Sequence, residues 1–168
     1  MIKFSGMSIL VILLTACGGA QVESGKTILQ STAPSKNLQL YEGEARAPEE
    51  VARVVTAQSA KDYLYFIGLD GQQIPNNSLI DGPREIAVLP GRHALRLRFV
   101  SPGQIAIPLK PLPPVTLEAG KVYIVKASMT PGQGGYPQNI MSTSVEAWLQ
   151  EVDSGVKLAA VTTNGTGR

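Results

Sequence analysis

Few side chains in this 168-residue chain are of a type that does chemistry, and their spacing narrows what they can do. His93 is the only histidine, so a Ser-His-Asp triad or a His-rich zinc site would have to be built around it alone. It follows Leu89-Pro90-Gly91-Arg92 at the start of an alternating run, where its expected work is to bond the backbone of the turn. The carboxylates come as Glu42 with Glu44 and Glu49 with Glu50. A glycosidase pair needs a set separation across a cleft, and a polar turn and a charged helix start account for these four more simply. Asp153-Ser154-Gly155 is short of the spaced oxygen ligands of a calcium loop. Gly132-Gln133-Gly134-Gly135 lacks the Lys-Ser/Thr that completes a phosphate loop. Arg96 and Arg98 share one face of a strand, where guanidinium groups can grip an anionic glycan, a lipid headgroup or a partner carboxylate. The competing reading is a solvated face whose charges discourage aggregation. Arg96 and Arg98, with Tyr136 in a Gly/Pro-rich loop, are the candidate partner-contact residues; no residue is assigned as catalytic or as a metal ligand.

The remaining reactive group is the thiol of Cys17, the sole cysteine, which excludes an intrachain disulfide and a multi-cysteine metal site. Before it stand Lys3, the apolar run Ile9-Leu10-Val11-Ile12-Leu13-Leu14 and the small residues Thr15-Ala16; after it come Gly18-Gly19. This is the grammar of a secretory signal. The uncharged run from Phe4 to Ala16 is well short of the roughly 20 residues that span a bilayer. Leu14-Thr15-Ala16-Cys17 resembles a bacterial lipobox. The resemblance implies cleavage before Cys17, a diacylglycerol thioether on its sulfur and an N-acyl chain on its new amine, with no other cofactor. Each buried methylene contributes about 0.8 kcal/mol, and one chain alone binds only marginally, so several chains on one residue make a durable anchor. Gly18 stands where an Asp often signals inner-membrane retention, so the expected location is the periplasmic face of the outer membrane.

The formal charge of +2 includes Lys3, and its removal leaves 14 basic against 13 acidic groups, or +1. That balance argues against a nucleic-acid partner. With 17 Gly, 12 Pro and few aromatics, the composition of the chain suits an all-β domain with many turns. Gly18 to Asn37 holds mainly small and polar residues and is expected to be a tether, with a mean span of roughly 25 Å for about 20 residues.

The expected elements follow from periodicity. Leu38-Gln39-Leu40-Tyr41 alternates as a short strand, and Ala47 to Val55 reads as one or two turns of helix, with Pro48 at its first position and Val51, Val54 and Val55 toward the core. Tyr63 to Ile67 is a strand closed by the turn Asp70-Gly71. Arg84 to Leu89 is another, and Leu95, Leu97 and Phe99 against Arg96 and Arg98 make the clearest strand of all. Five prolines between Ser101 and Val115 predict an extended loop, with Ile105 and Ile107 along an edge. Val115-Thr116-Leu117 and Val122 to Val125 flank the turn at Gly120, and Pro131 to Pro137 is a second loop. Ser144 to Val152 and Val156 to Val161 form a last hairpin, with Trp148 expected as a core anchor between Ala147 and Leu149. Thr162 to Arg168 is expected to fray. The division is therefore a signal peptide over 1–16, lipidated Cys17 and tether over 17–37, a domain over 38–161 and a tail over 162–168. The expected fold is a small antiparallel β-sandwich with one short helix.

Several turn and core pieces occur in a familiar order: Leu40-Tyr41-Glu42-Gly43, Glu50-Val51-Ala52, Leu69-Asp70-Gly71, Leu89-Pro90-Gly91-Arg92-His93-Ala94-Leu95, Ala119-Gly120-Lys121-Val122-Tyr123, Ala147-Trp148-Leu149 and Asp153-Ser154-Gly155. Together they resemble small bacterial envelope lipoproteins with a PEGA-like, transthyretin-like β-domain, over about Leu38 to Leu158. The resemblance implies a fold and a location and carries over no catalytic residue. The expected function is a non-enzymatic binding or assembly module, held to the membrane by its lipid and contacting an envelope protein partner. The alternatives are a stabilising subunit of a secretion or pilus machine and, from a different class, a hydrolase of envelope polymers.

Overall fold

The computed structural model describes residues 37–59, 61–75, 78, 81–101 and 105–165. The expected signal peptide, Cys17 and the tether as far as residue 36 lie outside the described residues, as do residues 166–168. In chain order the elements are β1 (Asn37–Gln39), a 3₁₀ turn (Pro48–Glu50), β2 (Ala52–Thr56), β3 (Tyr63–Leu69), β4 (Gln72–Gln73), β5 (Glu85–Val88) and β6 (Gly91–His93). There follow β7 (Leu95–Ser101), β8 (Ile105–Pro108), β9 (Val115–Leu117), β10 (Val122–Thr130), α1 (Gln138–Ser142), β11 (Ser144–Glu151) and β12 (Lys157–Asn164).

The fold is an all-β sandwich, as the alternation and turn signals imply. One layer has the strand order β1-β5-β2-β10-β11-β12, the other β4-β3-β7-β8, and β6 pairs with β9 in a small ribbon. Most pairings are antiparallel; β1 with β5 and β2 with β10 are parallel. The alternation in β7 does what its sequence dictates, with Leu95, Leu97 and Phe99 buried and Arg96 exposed. These residues meet Leu64 and Phe66 from β3 and, across the sandwich, Val54, Ile86, Val125 and Leu149. Removing each such side chain from water contributes about 1.5–3 kcal/mol, so the inter-sheet layer dominates stability.

Four local expectations change. Ala47 to Val55 is not a helix: Pro48–Glu50 makes a single 3₁₀ turn, with the Glu50 carboxylate accepting the Ala47 N–H at 3.1 Å, and the chain then becomes strand β2. The β-branched pair Val54-Val55 suits a central strand, and period two buries Val54 while turning Val55 outward. The short helix is instead α1, which follows the Pro131–Pro137 loop. Trp148 is not a core anchor; Ala147 and Leu149 are fully buried, so Trp148 between them lies on the outer face and is half-buried. Finally, Thr162, Thr163 and Asn164 belong to β12 rather than a frayed tail, because buried Thr163 accepts the Lys110 N–H through its hydroxyl at 2.9 Å.

The proline-rich segment is edge and loop as expected, yet it also closes the core. Pro108 has no N–H to lose at the edge strand β8. Beyond it, Leu109 and Leu112 donate backbone N–H groups to the carbonyls of Leu97 and Leu95 at 2.8 and 2.9 Å, and bury their side chains. Among the described residues no helix is long and apolar enough to cross a membrane.

Candidate functional site

His93 is drawn into the turns, as its place in the sequence implies. Its Nε2 donates to the Leu89 carbonyl at 2.8 Å, and its Nδ1 lies 2.7 Å from Asp70 Oδ2. Asp70 Oδ1 accepts the Ala94 N–H at 2.8 Å, while the Asp70 N–H donates to the Ala94 carbonyl at 3.0 Å. Asp70 and Gly71 have φ of 51° and 83°, so the β3–β4 turn is left-handed at both central positions, the conformation that Asp and Gly tolerate and a tight hairpin requires. The Leu69-Asp70-Gly71 and Leu89-to-Leu95 segments are thus two halves of one clasp. Its groups are engaged with each other, and the clasp joins loops.

Arg96 and Arg98 do share the outer face of the four-stranded sheet. They differ in availability. The Arg98 guanidinium donates to the Ser78 carbonyl, and its Nε is buried without a hydrogen-bond partner among the described residues. Beside it, Arg84 lies over the rings of Tyr63 and Tyr65, at 5.4 and 5.3 Å, and those rings stack at 6.3 Å. Arg96 is the exposed member of the pair, with its Cβ packed where a side chain on Gly68 would stand. Tyr136 is on neither this face nor this sheet. It is 80% exposed in the loop before α1 and borders a cleft of about 260 Å³ with Ile105, Met129, Ile140 and Thr143. The three candidate contact residues therefore make two separate surfaces.

A second concavity lies where β2 ends. Thr56 is the last β2 residue, and the chain then departs through Ala57, Gln58 and Ser59 toward β3. Ser59 holds that departure, accepting the N–H groups of Lys61 and Asp62 on its hydroxyl at 3.2 and 2.8 Å. Between this loop and β10 opens a cleft of about 240 Å³. Leu64, Phe99 and Ala127 give it apolar walls, and Gln58, Asp62, Lys126 and the Trp148 ring bring polar and aromatic groups. Thr56 is buried and donates to the Leu64 carbonyl at 3.0 Å, while receiving the Gln58 amide at 3.1 Å. That leaves Gln58 Oε1 buried and, among the described residues, without a hydrogen-bond partner. A buried acceptor with no donor costs about 1–3 kcal/mol, so a ligand N–H or O–H arriving there relieves it. Lys157 covers one side of the Trp148 ring at 4.9 Å and pairs with Glu146 at 2.8 Å. Lys126 reaches the uncharged Gln150 amide oxygen at 3.2 Å.

Apolar walls with a few convergent polar groups are the general make-up of a ligand-binding cleft. The sequence reading missed Gln58, Lys126 and Trp148 as site residues. One signal for Trp148 was present: a tryptophan between two core residues of a strand must point the other way. Gln58 and Lys126 carry no such signal, because they meet only when the loop after β2 folds over β10. Compared with family models, curated proteins and solved structures, the chain matches none.

Proposed function

We propose that this chain is a lipid-anchored, non-enzymatic binding or assembly module of the bacterial envelope, displayed from the periplasmic face of the outer membrane on a PEGA-like β-domain. The observation that carries the reading is the apolar run Ile9 to Leu14 leading into Thr15-Ala16 and the sole cysteine, Cys17. A small sandwich begins at Asn37, close enough that the tether holds it near the membrane and raises its local concentration there. The cleft beside Trp148 supports the binding half of the reading, since it joins apolar walls to an acceptor with no partner among the described residues.

The test is metabolic labelling with palmitate followed by membrane fractionation, comparing the native chain with Cys17→Ser. The native chain should carry label and sediment with the outer membrane; the variant should be unlabelled, and either unprocessed or soluble. A processed, membrane-bound Cys17→Ser chain would sink the anchor, and recovery of the native chain in inner-membrane fractions would overturn the outer-membrane location.

A further inference from the structure

The two strands that meet at the cleft differ in length. β2 has five residues and β10 has nine, and their parallel pairing stops at Val125 opposite Thr56. On its other side β10 pairs with β11 as far as Thr130. The last bond from the β2 side is the Ala57 N–H to the Val125 carbonyl at 2.8 Å. Strand geometry turns the N–H and C=O of alternate residues to the same side, so those of Ala127 and Met129 also point there. Among the described residues no backbone hydrogen bond reaches them. Ala127 borders the cleft beside Trp148, and Met129 borders the one beside Tyr136.

We propose that this open edge of β10, from Ala127 to Thr130, takes an extended peptide segment of an envelope protein as an added strand. This deepens the binding-module reading and rests on it for the origin of the peptide. Three observations select the occupant. Alternating main-chain donors and acceptors along an edge are matched by another peptide backbone, which a glycan or a lipid headgroup does not supply. Ala127 and Met129 are two residues apart and each faces a cleft, so residues i and i+2 of an added strand place apolar side chains in the two clefts. Lys121 and Lys157 have carboxylate partners, in Glu151 and Glu146, whereas Lys126, on the outer face, has among the described residues the neutral Gln150 amide alone. The residue between the two anchors, which faces Lys126, is therefore acidic. A second copy of this chain is a poorer occupant, because a four-residue edge falls far below the roughly 1,000 Å² that holds two folded proteins together.

The test uses the full-length chain in detergent, labelled with ¹⁵N, and the acetylated peptide Ser-Glu-Val-Glu-Leu-Glu-Ser. Binding should be saturable, shift the Ala127 and Met129 amides and slow their hydrogen exchange. Peptides N-methylated at Val and Leu, or at the Glu positions, give the decisive comparison. One set should lose affinity about tenfold or more and the other should not; loss at Val and Leu marks antiparallel addition, and loss at Glu marks parallel addition. Lys126→Glu should weaken the acidic peptide about tenfold and be rescued by the peptide with Lys in place of Glu, which separates charge recognition from loss of fold. Equal sensitivity of the two N-methylated sets, shifts confined to the Arg96 and Arg98 face, or no saturation up to about 1 mM peptide would overturn the proposal. A chain that binds peptide but takes no palmitate removes the anchor and keeps the edge; a labelled chain that ignores the peptide does the reverse.

Discussion

The Asp70–His93 clasp gives the sharpest prediction about stability. Replacing Asp70 by Ala removes an acceptor from the Ala94 N–H at 2.8 Å and a partner from His93 Nδ1 at 2.7 Å, and puts a Cβ-bearing residue without local side-chain bonds at φ of 51°. Hydrogen bonds to charged groups contribute about 1.5–3 kcal/mol each. The Asp70 side chain is 44% exposed, so water replaces part of that, and about 1.5 kcal/mol for the two together is the better figure. The left-handed conformation adds about 1 kcal/mol for Ala. Asp70→Ala should therefore cost about 2.5 kcal/mol, or a fall in Tm of roughly 10 °C in a domain of this size. Asp70→Gly relieves the backbone and should cost about 1.5 kcal/mol. Asp70→Asn keeps an acceptor for Ala94 and tolerates the left-handed turn, and should cost about 1 kcal/mol. Urea unfolding with an unchanged m-value measures the series. The reasoning fails if Ala and Asn unfold at the same midpoint, or if a double-mutant cycle between Asp70 and His93→Gln shows coupling below about 0.3 kcal/mol.

Two further outcomes follow from side-chain placement. Leu149→Ala should cost about 2–5 kcal/mol by opening a core cavity, whereas its neighbour Trp148→Ala should cost about 1 kcal/mol, chiefly the contact with Lys157; equal costs in urea unfolding would mean the faces of β11 are misassigned. The Lys121–Glu151 pair should shape both ends of the pH–stability curve. The hydrogen bond from Lys121, then that from the Ser154 hydroxyl, holds the Glu151 carboxyl below its ordinary 4.5, so this contribution is present above that value and lost as pH falls through the lowered one. The bond to Glu151 raises the Lys121 ammonium above 10.5, so its contribution is present below that value and lost as pH rises through the raised one. Lys121→Met should flatten both limbs in urea titrations at low salt, and 1 M salt should flatten them in the native chain, because the pair lies at the surface. Limbs unchanged in both experiments would assign the pH dependence elsewhere.

The parts of the fold legible in the sequence are those where one local rule acts alone. From Leu95 to Phe99, β7 shows its two faces residue by residue because period two governs that stretch. Asp70-Gly71 announces its turn because few other pairs accept two left-handed residues in succession. Ala47 to Val55 misleads because Pro48, Glu49 and Glu50 open a helix and a 3₁₀ turn equally well. The choice falls to Val54 and Val55, whose partners Ile86, Glu85, Tyr123 and Ile124 are distant in sequence. Thr162 to Asn164 misleads for the same reason, since their order depends on pairing with Ser144, Val145 and Glu146.

The second half of β10 shows why the candidate site is harder to see than the fold around it. Val122 to Val125 is apolar because it is flanked on both sides, by β2 and β11, and reads as a strand at once. Among the described residues, Lys126 to Thr130 pairs with β11 alone. A strand segment with one open edge has less surface to bury, so its composition can be polar, and Lys126-Ala127-Ser128-Met129-Thr130 carries little β signal by itself. The property that hides this segment from pattern reading is thus the same one that leaves two backbone positions open for a partner. Long exposed edges are a liability that proteins protect with charge, short length or cover. This one is four residues long, has Lys126 beside it and is bounded by the Ser59 loop and the loop before α1, so it can remain open without inviting indiscriminate pairing.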